Sequence, residues 1–128
     1  MVAKNRIFVS FAMEDKTYRD FLVGQAKNEK SPFEFVNMSV LEPWDTQWKT
    51  NCRSRIKGCD GMIALVSKNL ARATGALWEV NCAKDENIPV LGVYCATIDR
   101  PTSLPSEFFG VKVVGWTWAN TATFIGNL

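Results

Sequence analysis

The sequence predicts an α/β fold in which helices cover both faces of a parallel β-sheet. Two observations lead to this prediction. Short apolar runs recur along the chain, and the segments between them have apolar residues at helical spacing. Strands that alternate with helices pair in parallel through right-handed crossovers. We therefore expect a flavodoxin-like three-layer sandwich, a five-stranded parallel sheet in the order 2-1-3-4-5, formed by residues 1–128 as a single domain.

Five segments have the composition of strands. The runs at 7–11 and 62–66 are almost wholly apolar, as expected for strands that are covered on both faces. The remaining strands are predicted at 33–40, 88–94 and 111–114.

The segments between the strands carry apolar stripes at helical spacing. The first such segment, which Asp15 is placed to cap, has a stripe formed by Tyr18, Phe21, Leu22 and Ala26. The stripe of the second segment is formed by Trp48, Cys52, Ile56 and Cys59. A third helix is expected to contain Glu79. A last helical turn or two is expected at 119–128.

Composition excludes several classes of function. The net charge of +2 is too small to favour nucleic acid or an anionic membrane as a partner. No apolar run approaches the roughly 20 residues of a membrane helix, and the N-terminus lacks a signal-peptide pattern. We therefore expect a cytoplasmic protein with no nucleic-acid or membrane partner.

The cysteine and histidine contents limit the chemistry further. The chain has no histidine, which excludes Ser-His-Asp and Cys-His catalysis. Without histidine or a C-x-x-C pair, no metal site is expected, and no bound cofactor is indicated. The cysteines are interpreted as small buried hydrophobic residues, with a redox role as the alternative; they are Cys52, Cys59, Cys82 and Cys95.

Glu79 has an unusual setting near the predicted start of its helix. The side chains three and four positions away share its helix face and provide no cation to pair with it. They are those of Gly75, Ala76, Cys82 and Ala83. Such a carboxylate is either half-solvated at a helix edge or held in a cleft with a raised pKa. In the second case it can support acid–base or charge-stabilising chemistry in a chain without histidine.

The expected fold points to the same place. Ligands of such sheets bind at the carboxyl ends of the strands, near the switch point between strands 1 and 3. This rule selects Ser10, Phe11 and Ala12 after the first strand, and Ser67 after the third, as candidate binding residues. Core packing is the alternative for Phe11, and turn or capping roles are the alternative for the two serines.

The break after the second predicted strand supplies further candidates. Trp44 is the better candidate for a pocket or an interface, because Trp48 begins the apolar stripe of the following helix. Asp45, between them, is a good helix N-cap and is also retained as a candidate binding residue. Three cations on that helix can meet a diphosphate or simply belong to a solvated helix face: Arg53, Arg55 and Lys57.

Several motifs of related architectures are missing. A G-x-G-x-x-G after the first strand and a Walker A loop are both absent, which argues against the common dinucleotide and P-loop sites. Ser67 stands where a phosphoacceptor domain needs aspartate at the end of its third strand. A flavodoxin-type phosphate loop after the first strand is absent as well.

Four stretches carry a resemblance that covers nearly the whole chain. Residues 6–16 (RIFVSFAMEDK) look like the first box of TIR domains. More specifically, residues 31–36 (SPFEFV), 42–52 (EPWDTQWKTNC) and 78–84 (WEVNCAK) resemble the TIR-like family of the Thoeris antiphage defence protein ThsB. The combination of these motifs, in this order and at this spacing, is specific for the family.

The resemblance implies a TIR-like fold and cleavage of NAD, as a substrate, at the nicotinamide–ribose bond. Glu79 is implied as the catalytic residue, which stabilises the oxocarbenium-like charge as nicotinamide leaves. The product would be an ADP-ribose-derived signal, linear, cyclic or conjugated, that activates a downstream effector. Homotypic TIR–TIR association is also implied. The alternatives are a non-catalytic interaction module and a nucleotide sensor.

One position departs from the family pattern. Many TIR domains carry tryptophan four residues before this glutamate, whereas this chain has Gly75 there and Trp78 immediately before Glu79. Either the pocket aromatic comes from elsewhere, with Trp44 and Trp48 as candidates, or the pocket is altered. Trp78 is retained among the candidate substrate-binding residues. An enzyme requires Glu79 to be open to the cleft, whereas a scaffold predicts a buried or salt-bridged Glu79.

Overall fold

The computed structural model describes residues 5–28, 33–36, 46–96 and 100–128 of the chain. Strands and α-helices alternate as far as the fourth strand, and a short 3-10 helix, Ser106–Phe108, lies between the fourth strand and the fifth. The strands are β1 (Asn5–Ser10), β2 (Phe33–Val36), β3 (Gly61–Val66), β4 (Val90–Tyr94) and β5 (Lys112–Val114). The helices are α1 (Lys16–Asn28), α2 (Thr46–Lys57), α3 (Thr74–Asp85) and α4 (Trp118–Gly126).

The strands form one parallel sheet in the order β2-β1-β3-β4-β5. Ser10, at the end of β1, lies opposite Ala64 of β3, and Val66 of β3 lies opposite Tyr94 of β4. The helices α1, α2 and α3 lie in the crossovers that connect the parallel strands from β1 to β4, as the alternating pattern requires. The predicted α/β class with a parallel sheet is confirmed.

Each face of the sheet contributes to a separate apolar core. Met62, Ala64 and Val66 of β3 pack with residues of α2 and α3. Ile63 and Leu65, which alternate with them, pack on the other face with residues of α1 and α4. All of β3 is buried, which explains why its sequence is a continuous apolar run rather than an alternating one.

The predicted stripe of α1 is partly wrong. Leu22 and Ala26 are buried, but the side chain of Phe21 is 61% exposed. One step along a helix rotates a side chain by about 100°, so neighbouring residues cannot both face the sheet. The carboxylate of Asp15, which was predicted to cap this helix, is buried and accepts hydrogen bonds from residues that follow β3.

The predicted stripe of α2 is confirmed. Trp48, Cys52 and Ile56 are buried against the sheet, as is Cys59 just after the helix. All four cysteines are buried and carry thiols rather than disulfides. Within the described ranges, no helix combines the length and the apolar character needed to cross a bilayer.

Candidate functional site

The candidate site lies where α3 crosses the carboxyl end of β1. Ser10 is the last residue of β1, and its side chain is 1% exposed on the face that α3 covers. Small residues at the start of α3, Gly75 and Ala76, are buried at this contact. The Oγ atom of Ser10 lies 2.8 Å from Oε1 of Glu79 and 3.2 Å from the main-chain oxygen of Ala76. Sheet and helix are therefore linked through the Glu79 side chain.

A thiol from α2 reaches the other oxygen of the same carboxyl group. Cys52 Sγ lies 3.7 Å from Oε2 of Glu79, and Cys52 is fully buried. Ser10, Cys52 and Glu79 thus form one buried polar group, which we call the Glu79 cluster. Its members come from a strand and two helices that are distant in sequence.

Burial controls the charge of the Glu79 cluster. Glu79 is 5% exposed, and loss of hydration raises its pKa to about 8, although hydrogen bonds from Ser10 and Cys52 oppose the rise. Burial, together with the nearby Glu79 carboxyl, also raises the pKa of the Cys52 thiol well above its usual range. Both groups are therefore protonated at neutral pH. Glu79 is therefore not half-solvated at a helix edge: it is buried, and its pKa is raised as in the other predicted setting.

A second polar cluster lies just past the carboxyl ends of β1 and β3. The Asp15 carboxylate accepts hydrogen bonds from the Ser67 hydroxyl and from Asn69 Nδ2, the latter at 3.0 Å. The amide N–H of Asn69 in turn donates to Ser67 Oγ at 3.1 Å. In this structure the hydroxyl of Ser67, a predicted binding residue, is bonded within the protein and is 1% exposed.

Phe11 and Ala12 do not join the Glu79 cluster. Phe11 is 9% exposed and packs in the core beneath α1 and α4, where the guanidinium of Arg19 lies 5.4 Å from its ring centre. Ala12 is 2% exposed, and its carbonyl accepts a hydrogen bond from the Asp15 N–H. For Phe11, the structure has the core-packing alternative.

The predicted aromatic residues lie at the contact between α2 and α3. The rings of Trp78 and Trp48 are tilted against each other with centroids 5.3 Å apart. The Arg53 guanidinium lies 5.7 Å from the Trp78 ring and pairs with Glu86 at 3.0 Å. Trp48 packs in the apolar core, which was one of the two roles predicted for it. Arg53 is paired with acidic residues. Trp44 and Asp45 lie outside the described residues.

Sequence reasoning did not find Cys52 as a partner of Glu79. The apolar stripe of α2 indicated only that Cys52 is buried, not which group it meets. A thiol counts as a small hydrophobic residue in such patterns, so its capacity to donate a hydrogen bond gives no periodic signal.

Comparison with solved structures places the fold in a known class. The structure matches one titled "Crystal Structure of a prokaryotic SEFIR domain" with a TM-score of 0.51 and 12% sequence identity. The match covers 94% of this chain and 86% of the SEFIR chain. At this identity the likeness concerns the fold alone: a SEFIR-like, flavodoxin-like α/β domain.

The sequence itself identifies the family. The family model described as "Thoeris protein ThsB, TIR-like domain" matches residues 8–99, which run from within β1 to beyond the end of β4 and include the whole Glu79 cluster. The chain belongs to this ThsB TIR-like family. A comparison with curated proteins gives no significant match.

Proposed function

We propose that this TIR-like domain is an NAD-processing enzyme that cleaves the nicotinamide–ribose bond, with Glu79 as its catalytic residue. One observation carries the proposal: an acidic side chain, contacted by the neutral donors Ser10 and Cys52, is buried on the helix after β3, at the carboxyl end of β1. Burying such a group is costly, and groups of this kind cluster at functional sites. Membership of the ThsB TIR-like family supports the same assignment.

The proposed chemistry requires little from the protein beyond a negative charge. As the bond between the anomeric carbon and the pyridinium nitrogen breaks, nicotinamide leaves with the electron pair and becomes neutral. Positive charge then develops on the ribose, and an ionised Glu79 would stabilise it. Water, or a nucleophilic atom of the same substrate, completes the reaction as a linear or a cyclic ADP-ribose product. The product would act as a signal for a separate effector in antiphage defence.

The raised pKa of Glu79 makes substrate binding part of this proposal. At neutral pH the buried carboxyl group is protonated before substrate arrives. The nicotinamide ring of NAD carries a positive charge, and a nearby cation favours the ionised form of a carboxyl group. Binding of NAD would therefore release a proton from Glu79 and generate the carboxylate when it is needed.

The alternative is a TIR-like module that binds a partner or a nucleotide without turnover. One observation favours it: Glu79 is 5% exposed, so the open arrangement expected of an enzyme is not met in this structure. Catalysis therefore requires the surroundings of Glu79 to open, whereas an interaction module has no such requirement. Homotypic association is compatible with either function.

The deciding experiment is an assay of nicotinamide release from NAD by concentrated protein, with products identified by mass spectrometry. Wild type is compared with Glu79→Gln and with Glu14→Gln, a matched change at an exposed site. Release by wild type and Glu14→Gln, but not by folded Glu79→Gln, supports the enzyme. Equal release by all three proteins refutes the role of Glu79.

Absence of release from wild type, with and without extract of infected cells, refutes the enzyme and favours the non-catalytic module. The product mass separates hydrolysis from cyclisation. Sedimentation of the same samples, with and without NAD, tests homotypic association.

A further inference from the structure

The two oxygens of the Glu79 carboxyl group contact donors from two different elements. Ser10, from β1, lies 2.8 Å from Oε1, and Cys52, from α2, lies 3.7 Å from Oε2. Both contacts are buried, so water does not compete for either oxygen. The orientation of the carboxyl group therefore depends on these two side chains.

The Ser10 hydroxyl cannot satisfy both of its neighbours at once. It has one hydrogen, but two acceptors are within reach, Oε1 of Glu79 and the main-chain oxygen of Ala76. When Glu79 is protonated, its O–H can donate to Ser10, which then donates to Ala76. When Glu79 is ionised, the Ser10 hydroxyl must turn toward Oε1. The contact between Ser10 and Glu79 thus survives titration with its direction reversed.

The Cys52 thiol, unlike the Ser10 hydroxyl, can donate its hydrogen bond in the same direction in both charge states of Glu79. The thiol stays protonated because burial strongly disfavours the thiolate, so it can donate to Oε2 whether Glu79 is neutral or ionised. A thiol is a weak donor, but a hydrogen bond to a charged acceptor is stronger than one to a neutral acceptor. The bond therefore strengthens when the carboxylate forms.

We propose that Cys52 is a positioning residue of the candidate site, which holds Oε2 of Glu79 and stabilises the carboxylate when it forms. The catalytic meaning of this role rests on the proposed function, but the contact and its effect on Glu79 do not. Because Cys52 would act through Glu79 rather than on substrate, its removal should change the protonation of Glu79 before it changes anything else.

The surroundings of the cluster leave few other groups to influence this titration. The titratable side chains that face it among the described residues are Cys52 from α2 and Cys82 from α3. Arg55 of α2 acts on the Cys52 thiol. Arg53 of α2, with its partners Asp85 and Glu86, acts on the Cys82 thiol. Ser10 is the polar contribution of β1.

The test is a carbon-13 NMR titration of the Glu79 carboxyl in wild type, Cys52→Ala and Cys52→Ser. Cys59→Ala is the matched control, since the Cys59 thiol donates to the Arg55 carbonyl instead. We expect the proton affinity of Glu79 to rise about threefold to tenfold in Cys52→Ala, the range of one modest hydrogen bond. In Cys52→Ser it should equal or fall below the wild-type value, because a hydroxyl is the stronger donor. Cys59→Ala should match wild type.

Equal titration of Glu79 in wild type, Cys52→Ala and Cys52→Ser would overturn the proposal. A proton affinity of Glu79 that rises as much in Cys52→Ser as in Cys52→Ala would overturn it as well. If a Cys52 variant fails to fold, the proposal can still be tested on the Cys52 thiol of the wild-type protein. The infrared S–H stretch of Cys52 should shift with the midpoint of Glu79 in wild type and should not shift in Glu79→Gln. A stretch that is independent of pH in wild type also overturns the proposal.

Enzyme assays separate this inference from the proposed function. If wild type releases nicotinamide, the pH midpoint of the rate should follow the same order among the Cys52 variants. If no protein releases nicotinamide while the NMR order holds, the proposed reaction fails and the contact of Cys52 with Glu79 stands.

Discussion

The Asp15 carboxylate accepts a hydrogen bond from the Ser67 hydroxyl, which joins the segment after β1 to the segment after β3. Asp15 is 2% exposed and also accepts from Asn69. The strands β1 and β3 are neighbours in the sheet, and β1 ends at Ser10 of the candidate site. This bond therefore fixes the loops on which the start of α3, and with it Glu79, is held.

Replacement of Asp15 by alanine should lower the free energy of unfolding by about 1–3 kcal/mol. The change leaves the buried Ser67 hydroxyl and the Asn69 amide without their acceptor, and unsatisfied buried donors cost energy in this range. Urea denaturation measures the effect. Glu14→Ala, at the exposed neighbouring position, is the control and should change stability by less than about 0.5 kcal/mol. Equal losses in the two variants would contradict the buried role of Asp15.

Replacement of Gly92 by alanine should destabilise the sheet, whereas replacement of Gly24 should stabilise α1. A Cβ atom at Gly92 would lie 2.8 Å from Cγ2 of Val113 on the adjacent strand, and such overpacking typically costs about 1–3 kcal/mol. A Cβ atom at Gly24 would meet nothing within 4 Å, and alanine within a helix gains about 0.5–1 kcal/mol over glycine. Thermal denaturation should shift the two melting temperatures in opposite directions. A raised melting temperature in Gly92→Ala would contradict the tight packing at Gly92, and a lowered one in Gly24→Ala would contradict the open space at Gly24.

Adjacent residues of α1 should respond very differently to truncation. Leu22→Ala should cost about 2–5 kcal/mol, because Leu22 is 1% exposed and its removal leaves a cavity. Phe21→Ser should change stability by less than about 0.5 kcal/mol, because Phe21 is 61% exposed. Chemical denaturation of both variants checks the pair. A large loss in Phe21→Ser would restore Phe21 to the core, where its sequence pattern predicted it.

Glu79 should make the stability of the protein depend on pH. The folded pKa of about 8 exceeds the ordinary value of 4.5, so the folded state binds the proton more tightly than the unfolded state. The associated stability is fully present below about pH 4.5 and is lost as pH rises to about 8. Relative to Glu79→Gln, which cannot titrate, wild type should lose at most about 1.4 kcal/mol per pH unit in this window.

Unfolding free energies of wild type and Glu79→Gln, measured in parallel at several pH values from 4 to 9, test this dependence. The difference between the two proteins should change steadily through the window and level off above it. A difference that is constant with pH would mean that Glu79 ionises normally in the folded protein.

The sequence determined the layers of this fold but not every residue within them. Alternating apolar runs and helical stripes identified the α/β class, and the stripe of α2 identified its buried face. The stripe of α1 was ambiguous at Phe21 and Leu22, because adjacent apolar residues fit a helical pattern with more than one rotation. The position of the helix on the sheet decided that Leu22 faces inward.

The sequence also singled out Glu79, because its setting depends on residues three and four positions away on the same helix. Its actual partners are distant: Ser10 lies 69 positions before it and Cys52 lies 27 positions before it. No local pattern encodes such contacts, which arise only when crossovers bring β1, α2 and α3 together. Burial, and hence the raised pKa, followed from that assembly. The sequence thus determined which carboxylate is unusual, and the tertiary structure decided its charge and its neighbours.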